Sequence, residues 1–390
     1  MQQSAIGRFA LVAACGASLL ALASCGRAGD GSAADSSTGS SAASAPGIPT
    51  AATKNTTRIW ADSPEAVAAG AARAVYPARK RNQRPLAVVL ADSGDWQSAI
   101  AGASLMAAPL HAPMLLSSGG KLPAVTQSAL SELSPTGAGE NGPQVIRLGN
   151  AAALTTLKTQ PIAGDDPYTL AANIDAYHAR IAGRWSSSVV VASGEQAAMA
   201  MPAAAWAAKS GDAVLFSQRN SLPAATTAAI KAHGKPKIYV LGPSTAISEA
   251  VVGQLGKLGA VTRIGSRTPS ANAIAFARFS DSGFGWGVID PGHGMVFANP
   301  SNGAVAGAAA PLSASGSYGP LLLVGQGGQL PSDLRNYLRD IRPGYSSDPV
   351  RGVYNHGWII GDTAAVSDLS QATVDSLLEI APVTRSAATQ

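Results

Sequence analysis

One pattern is written three times in this chain: an apolar run, a polar turn, and a helix opened by Leu-Pro. It reads HAPMLLSSGGKLPAVTQSAL at 111–130, SGDAVLFSQRNSLPAATTAAI at 210–230 and YGPLLLVGQGGQLPSDLRNYL at 318–338. Leu122-Pro123, Leu222-Pro223 and Leu330-Pro331 stand 100 and 108 residues apart. A chain repeated at this period must build three copies of one supersecondary unit, and that limits its folds.

The rest of each unit is readable around that marker. A head comes first: TRIWADSPEAVAAGAARAVYP, PIAGDDPYTLAANIDAYHARI and TRIGSRTPSANAIAFARF, each a strand end, a polar turn and an Ala-rich helix. Asp62, Asp166 and Thr268 lie near the helix start. Pro64, Pro167 and Pro269 fit its first turn, where a missing N–H costs nothing. A buried strand follows (LAVVLADSG, SSVVVASGE, and in the third unit either GWGVIDPG or GMVFANPSNG), then a helix of small residues. After the Leu-Pro element each unit ends as an apolar strand, a glycine turn marked by Gly149, Gly242 or Gly361, and a helix.

Uninterrupted Val, Ile and Leu strands set between helices are the pattern of a parallel sheet covered on both faces. Hydrophobic residues make up 46% of the chain but aromatics only 5%, so alanine and aliphatic side chains must fill the core. The expected architecture is α/β: three tandem Rossmann-like domains, with parallel sheets flanked by helices, packed against one another. The boundaries fall at 56–160, 161–261 and 262–384, with 385–390 a disordered tail.

The N-terminus is different in kind. MQQSAIGRF precedes the apolar ALVAACGASLLALAS, too short for a stable membrane span, and Leu22-Ala23-Ser24-Cys25 fits a lipobox. Residues 1–24 read as a lipoprotein signal peptide and Cys25 as the lipidated residue, leaving the mature chain without disulfide or free thiol. Residues 25–55, rich in Gly, Ser and Ala, read as a disordered tether.

With heads, Leu-Pro helices and strand–glycine–helix ends in view, residues 57–380 resemble the cell wall-binding repeat type 2 family. Arg58-Ile59, Ile162-Ala163-Gly164-Asp165-Asp166-Pro167-Tyr168 and Arg263-Ile264-Gly265 match its heads. Ala112-Pro113-Met114-Leu115-Leu116 matches its third element. Gly242-Pro243-Ser244-Thr245-Ala246-Ile247-Ser248 and Gly361-Asp362-Thr363-Ala364-Ala365-Val366-Ser367 match its last. The chain departs where the family has an aspartate, at Ser98, Ala197 and Gly303, and has Pro161 where an arginine is usual. The resemblance implies non-covalent binding of an anionic secondary wall polymer at clefts between the three domains. With the lipobox it implies a lipid-anchored protein on the outer face of the cytoplasmic membrane, at the cell wall interface.

Loops at the carboxyl ends of parallel strands gather N–H groups suited to phosphate or carboxylate oxygens. The candidate polymer-binding residues are therefore Ser93, Gly94, Gly149, Asn150, Ser193, Gly194, Gly242 and Gly361, with Arg58, Arg147 and Arg263 to supply charge. The alternative for each glycine is a tight turn, and for each arginine a surface or interdomain role. A net charge of +5 and the single basic run ARKRNQR, read as a solvated loop, give no nucleic-acid footprint. Five histidines without metal-ligand spacing, and no G-x-S-x-G or P-loop, point to no metal, no cofactor and no catalysis. Two rival readings stay open: a solute-binding lipoprotein of a transporter, and a wall-polymer hydrolase. The hydrolase would be favoured if His293 or His356 met Asp290 or Asp362 in one cleft.

Overall fold

The structure is a computed structural model that describes residues 49–139 and 142–383. The signal peptide, Cys25, the tether up to residue 48 and the C-terminal tail lie outside the described residues.

The chain opens with strands β1 (Pro49–Ala52) and β2 (Thr56–Ile59) and helix α1 (Pro64–Val75). It continues through β3 (Val88–Asp92), α2 (Trp96–Gly102), β4 (Met114–Ser117), α3 (Ala124–Leu133) and β5 (Val145–Leu148). The second pass is β6 (Thr159–Ile162), α4 (Pro167–Ala182), β7 (Ser188–Ser193), α5 (Ala197–Ser210), β8 (Ala213–Ser217), α6 (Ala224–Ala232), β9 (Lys237–Leu241) and α7 (Glu249–Leu255). The third is β10 (Ala260–Ile264), α8 (Pro269–Arg278), β11 (Gly294–Ala298), α9 (Ala304–Ala314), β12 (Leu321–Leu323) and α10 (Ser332–Asp340). It ends with β13 (Gly344–Tyr345), β14 (His356–Ile360), α11 (Asp368–Leu378) and β15 (Ala381–Pro382).

The architecture is α/β, with parallel sheets flanked by helices and repeated along the chain. Two sheets have four parallel strands each, in the orders β4-β3-β5-β6 and β8-β7-β9-β10. A third runs β12-β11-β14-β2, all parallel, with β1 added antiparallel on β2, and β13 pairs with β15 in a small fourth sheet. Each head strand thus completes the sheet of the preceding unit, while its helix packs on the unit that follows. α1 lies on β4 and α3, α4 on β8 and α6, and α8 on β12 and α10. The first head strand has no preceding unit, so β2 joins the last sheet, and the circle closes between the two ends of the chain.

The helix starts follow the local sequence. Ser63, Asp166 and Thr268 accept from Ala66, Tyr168 and Thr169, and Ala271 N–H respectively, with the prolines in the first turn. In the first unit the cap is Ser63, one residue past Asp62. Behind the Leu-Pro signal, the Thr126 and Thr226 hydroxyls donate to the carbonyls of Leu116 and Phe216, each at 2.6 Å, and tie the helix to the strand before it.

Two sequence expectations need correction, and one open alternative is decided. Residues 49–55, assigned to the tether, are ordered: β1 covers the edge of β2, and Asn55 N–H and Nδ2 donate to Asp375 Oδ1 and its carbonyl, at 2.7 and 3.0 Å. The first unit has no closing helix. Only ten residues separate β5 from β6, and Leu154 and Leu157 pack instead against the outer face of the first sheet. Of the two readings open for the buried strand of the third unit the structure has GMVFANPSNG, as Gly294–Ala298; in GWGVIDPG, Gly285 and Gly287 take φ of 92° and 60°, outside any strand.

The small-residue helices α2, α5 and α9 pack on one another between the sheets. A Cβ on Gly303 would stand 2.9 Å from the Cβ atoms of both Ala197 and Trp96, and one on Gly307 2.3 Å from the Ala99 carbonyl oxygen. Alanine and glycine here set the helix spacing, which explains a core with few aromatics. It also accounts for two of the missing aspartates: Ala197 and Gly303 meet where no carboxylate fits.

Candidate functional site

The carboxyl ends of the strands gather the loops that follow β3, β7 and β11, the turns after β5, β9 and β14, and the three head turns. Most candidate groups there are occupied by the fold itself. The turn glycines Gly149, Gly242 and Gly361 each donate N–H to the last carbonyl of the neighbouring head strand, Ile162, Ile264 and Ile59, at 2.8, 2.8 and 3.0 Å. Ser93 and Gly194 N–H go to Ser117 and Ser217 carbonyls, both at 2.8 Å, and Gly94 N–H to Asp92 Oδ1 at 3.1 Å. These N–H groups, offered by the sequence as anion donors, close the sheets in this structure.

The arginines are likewise engaged within the fold. Arg58 is 1% exposed and donates to the carbonyls of Gly361, Asp362 and Val366 and to Gln371 Oε1, all within 3.0 Å. Arg263 on β10 holds the Gly242 and Ile247 carbonyls at 2.8 Å each. In the first sheet the head-strand position is Pro161, and its register partner Arg147, on β5, supplies the guanidinium instead, to Gly149 and Ala151 carbonyls at 3.2 and 2.9 Å. All three, offered by the sequence as charge for a ligand, bind the carbonyls of a glycine turn.

The serines are similarly engaged. Ser93 Oγ donates to Glu65 Oε1 at 2.5 Å, and Ser193 Oγ, buried, accepts from Glu195 and Gln196 N–H at 3.2 Å. The Gly194 carbonyl accepts from Gln97 Nε2 at 3.1 Å, linking the second unit to α2 of the first. Asp92 is buried, which alone would raise its pKa. Donors from Gly120, Gly94, Ser117 and Gly119 outweigh that and hold its carboxyl below the ordinary range. Asn150 is exposed at its turn.

One cleft remains open at this end, where the first head turn faces the third sheet across the closure of the circle. Its volume is about 280 Å³, and its walls carry Asp62 and Ser63 from the head, Asn299, Ser301 and Asn302 after β11, Gln326 after β12, and Gly361 and Asp362 after β14. Ala61, Val67, Val305 and Ile360 form an apolar floor. Asn299 clips the rim together, donating to the carbonyls of Gly325, Gln326 and Ala365 at 3.3, 2.9 and 2.9 Å. Asp362 Oδ1 accepts from Ala364 and Ala365 N–H at 3.1 and 2.8 Å. No lysine or arginine lines this cleft, and two carboxylates do.

Of the candidates only Gly361 lies in it. The amides of Asn299, Asn302 and Gln326 were missed. For Asn299 and Asn302 the signal was present in ANPSNG, a cluster of Asx and Ser residues directly after a buried strand; Gln326 stands apart, in the turn after β12. His293 and His356 sit at the amino ends of β11 and β14, whereas Asp362 follows the carboxyl end of β14; Asp290 lies close enough to His293 to act on its charge, though burial is the larger influence and lowers the His293 pKa. Among the described residues no group of His, Cys, Asp or Glu is placed to hold a metal ion, and no helix is long and apolar enough to cross a membrane.

Residues 162–252 match the family model of cell wall binding domain 2 (CWB2), so the second unit is a CWB2-like domain. Among solved structures, Cwp6 from Clostridium difficile superposes with a TM-score of 0.65 at 14% identity, over 85% of this chain and 51% of that one. Cwp8 from Clostridium difficile gives a TM-score of 0.63 at 17% identity, over 84% and 52%. This chain therefore spans about half the length of either, and the likeness shows a shared fold. A search of curated proteins finds no match.

Proposed function

We propose that this is a non-catalytic cell-envelope protein that binds a cell-wall polymer, an anionic secondary wall polymer, through three tandem Rossmann-like domains. The observation that carries the reading is the CWB2 match over 162–252, lying within an architecture that the first and third units repeat. The closing cleft suits a sugar unit of such a polymer. Amides and carboxylates from Asp62, Asn302, Gln326 and Asp362 can bond ring hydroxyls, above a floor that accepts an apolar sugar face. Lipidation at Cys25 would hold the protein at the outer face of the cytoplasmic membrane, with the wall within reach of its tether.

The test is co-sedimentation of the protein with purified sacculi, before and after the secondary polymers are stripped. Binding is expected to vanish on stripping and to weaken about tenfold in an Asn302→Ala/Gln326→Ala double variant, the loss of two net hydrogen bonds. In cells, Cys25→Ala is expected to release the protein from membranes without changing its affinity for sacculi. Equal binding to intact and stripped wall would sink the reading.

A further inference from the structure

Each of the three parallel sheets has one edge strand lying under a helix: β4 under α1, β8 under α4 and β12 under α8. The opposite edge is in each case a head strand, and the three head strands end differently. β2 is covered, with β1 added antiparallel and Ala51 opposite Arg58. β6 and β10 are the last strands of their sheets, with no strand beyond them among the described residues.

Backbone direction decides what each open edge offers. The carbonyls of Ile59, Ile162 and Ile264 turn inward, to the glycine turns, so the residue before each turns outward. On β6 that residue is Pro161, which has no N–H to offer, a device that blocks an edge. On β10 it is Arg263, the counterpart of Arg58, and Val261 turns the same way. Each presents an N–H and a carbonyl that bond no other described residue. The Arg263 guanidinium is held by the Gly242 turn, and the exposed side chains Ala260 and Thr262 are small and uncharged. This edge therefore carries neither the proline nor the charge that would prevent pairing.

We propose that the protein dimerises through this edge, β10 of one copy pairing antiparallel with β10 of a second, so that two second sheets become one continuous sheet. A two-fold axis at Thr262 sets Val261 opposite Arg263 of the second copy and uses every outward N–H and carbonyl. The two Thr262 side chains then face each other, a favourable cross-strand pair. The charges agree. Lys257, at the amino end of β10, is exposed and has no carboxylate partner among the described residues. Glu249, at the carboxyl end beside Arg263, has a side chain 69% exposed. Both belong to the β9–α7–β10 crossover and so lie on one face of the sheet. Antiparallel pairing brings each Lys257 toward Glu249 of the second copy. The dimer stands apart from the closing cleft and does not depend on the polymer reading.

Sedimentation equilibrium of the whole protein in neutral detergent tests it. So short an edge predicts a weak dimer, half formed at about 100 μM. Thr262→Lys and Thr262→Asp should each weaken it about tenfold, because like charges then stand directly opposite one another. An equimolar mixture of the two variants should dimerise again. Gln160→Lys, at the counterpart position on β6, should leave the dimer intact. The Thr262 side chain is exposed, so neither change there should move the unfolding midpoint. A dimer indifferent to Thr262, equal weakening by Gln160→Lys, or no recovery in the mixture would each overturn the proposal. So would a protein still monomeric at about 1 mM. If that monomer binds a soluble peptide GIPTAAT, the sequence around β1, the edge takes a strand from another protein instead.

Discussion

Arg58→Met should destabilise the protein by about 3–5 kcal/mol, because it orphans buried acceptors at about 1–3 kcal/mol each while removing a buried charge that offsets part of that cost. Its guanidinium, on β2, satisfies the Gly361, Asp362 and Val366 carbonyls and Gln371, all from the C-terminal end of the chain. Burial depresses the Arg58 pKa, with Asp368 and Asp362 opposing, so the charge itself is costly to keep there. Methionine relieves that cost but leaves the carbonyls facing a thioether, and the second effect is the larger. Arg58→Lys should not rescue, because one ammonium cannot reach four acceptors spread around the turn.

The damage should also be local. β2 is the strand that closes the circle, so its amides and those of β14 should lose hydrogen-exchange protection before the first two sheets do. Arg147→Met and Arg263→Met should cost less, about 1–2 kcal/mol, since each holds two carbonyls and remains partly in water. Denaturant unfolding that placed Arg58→Met within 1 kcal/mol of the parent would show that water replaces the guanidinium.

These arginines show what the sequence could and could not reveal. Arg58 and Arg263 were legible as head-strand residues and Arg147 as a neighbour of Gly149, and so was the repeat that contains them. Their partners were not, because a donor that reaches from β2 to residues 361–366 depends on which strand pairs with which. The same limit hid the sheet composition. Head strands read as the start of a unit because they precede its helix, yet pairing puts them in the sheet before it. The substitution of Arg147 for the missing head arginine is invisible without the register Arg147↔Pro161. Helix starts were readable because caps and prolines act within four residues. The cleft was not, since its walls come from residues near 62, 300, 326 and 362.

The second large effect is expected at His233, whose side chain is fully buried between Asp175 and the Ser186 carbonyl. Nε2 lies 2.8 Å from Asp175 Oδ2 and Nδ1 2.7 Å from Ser186 O, with Trp185 over the ring. Two acceptors demand two donors, which only the imidazolium supplies. Burial works to lower the His233 pKa, but Asp175 and Ser186 prevail and raise it above the ordinary value. The stabilisation from this pair is therefore complete below about pH 6.5, the unfolded value, and fades as pH rises through the folded one. Asp175→Asn leaves a buried charge unpaired and should cost about 3–5 kcal/mol at pH 6, and less as pH rises through the folded pKa of His233. His293 and His356 pull the other way, since burial lowers both and the unfolded chain takes up their protons below about pH 6.5. In the parent, falling pH therefore stabilises through His233 down to about pH 6.5 and destabilises through His293 and His356 below it. With Asp175→Asn the first of these is lost, so stability should no longer rise as pH falls towards about 6.5. Parallel pH profiles of the two proteins would show that the pair is uncharged.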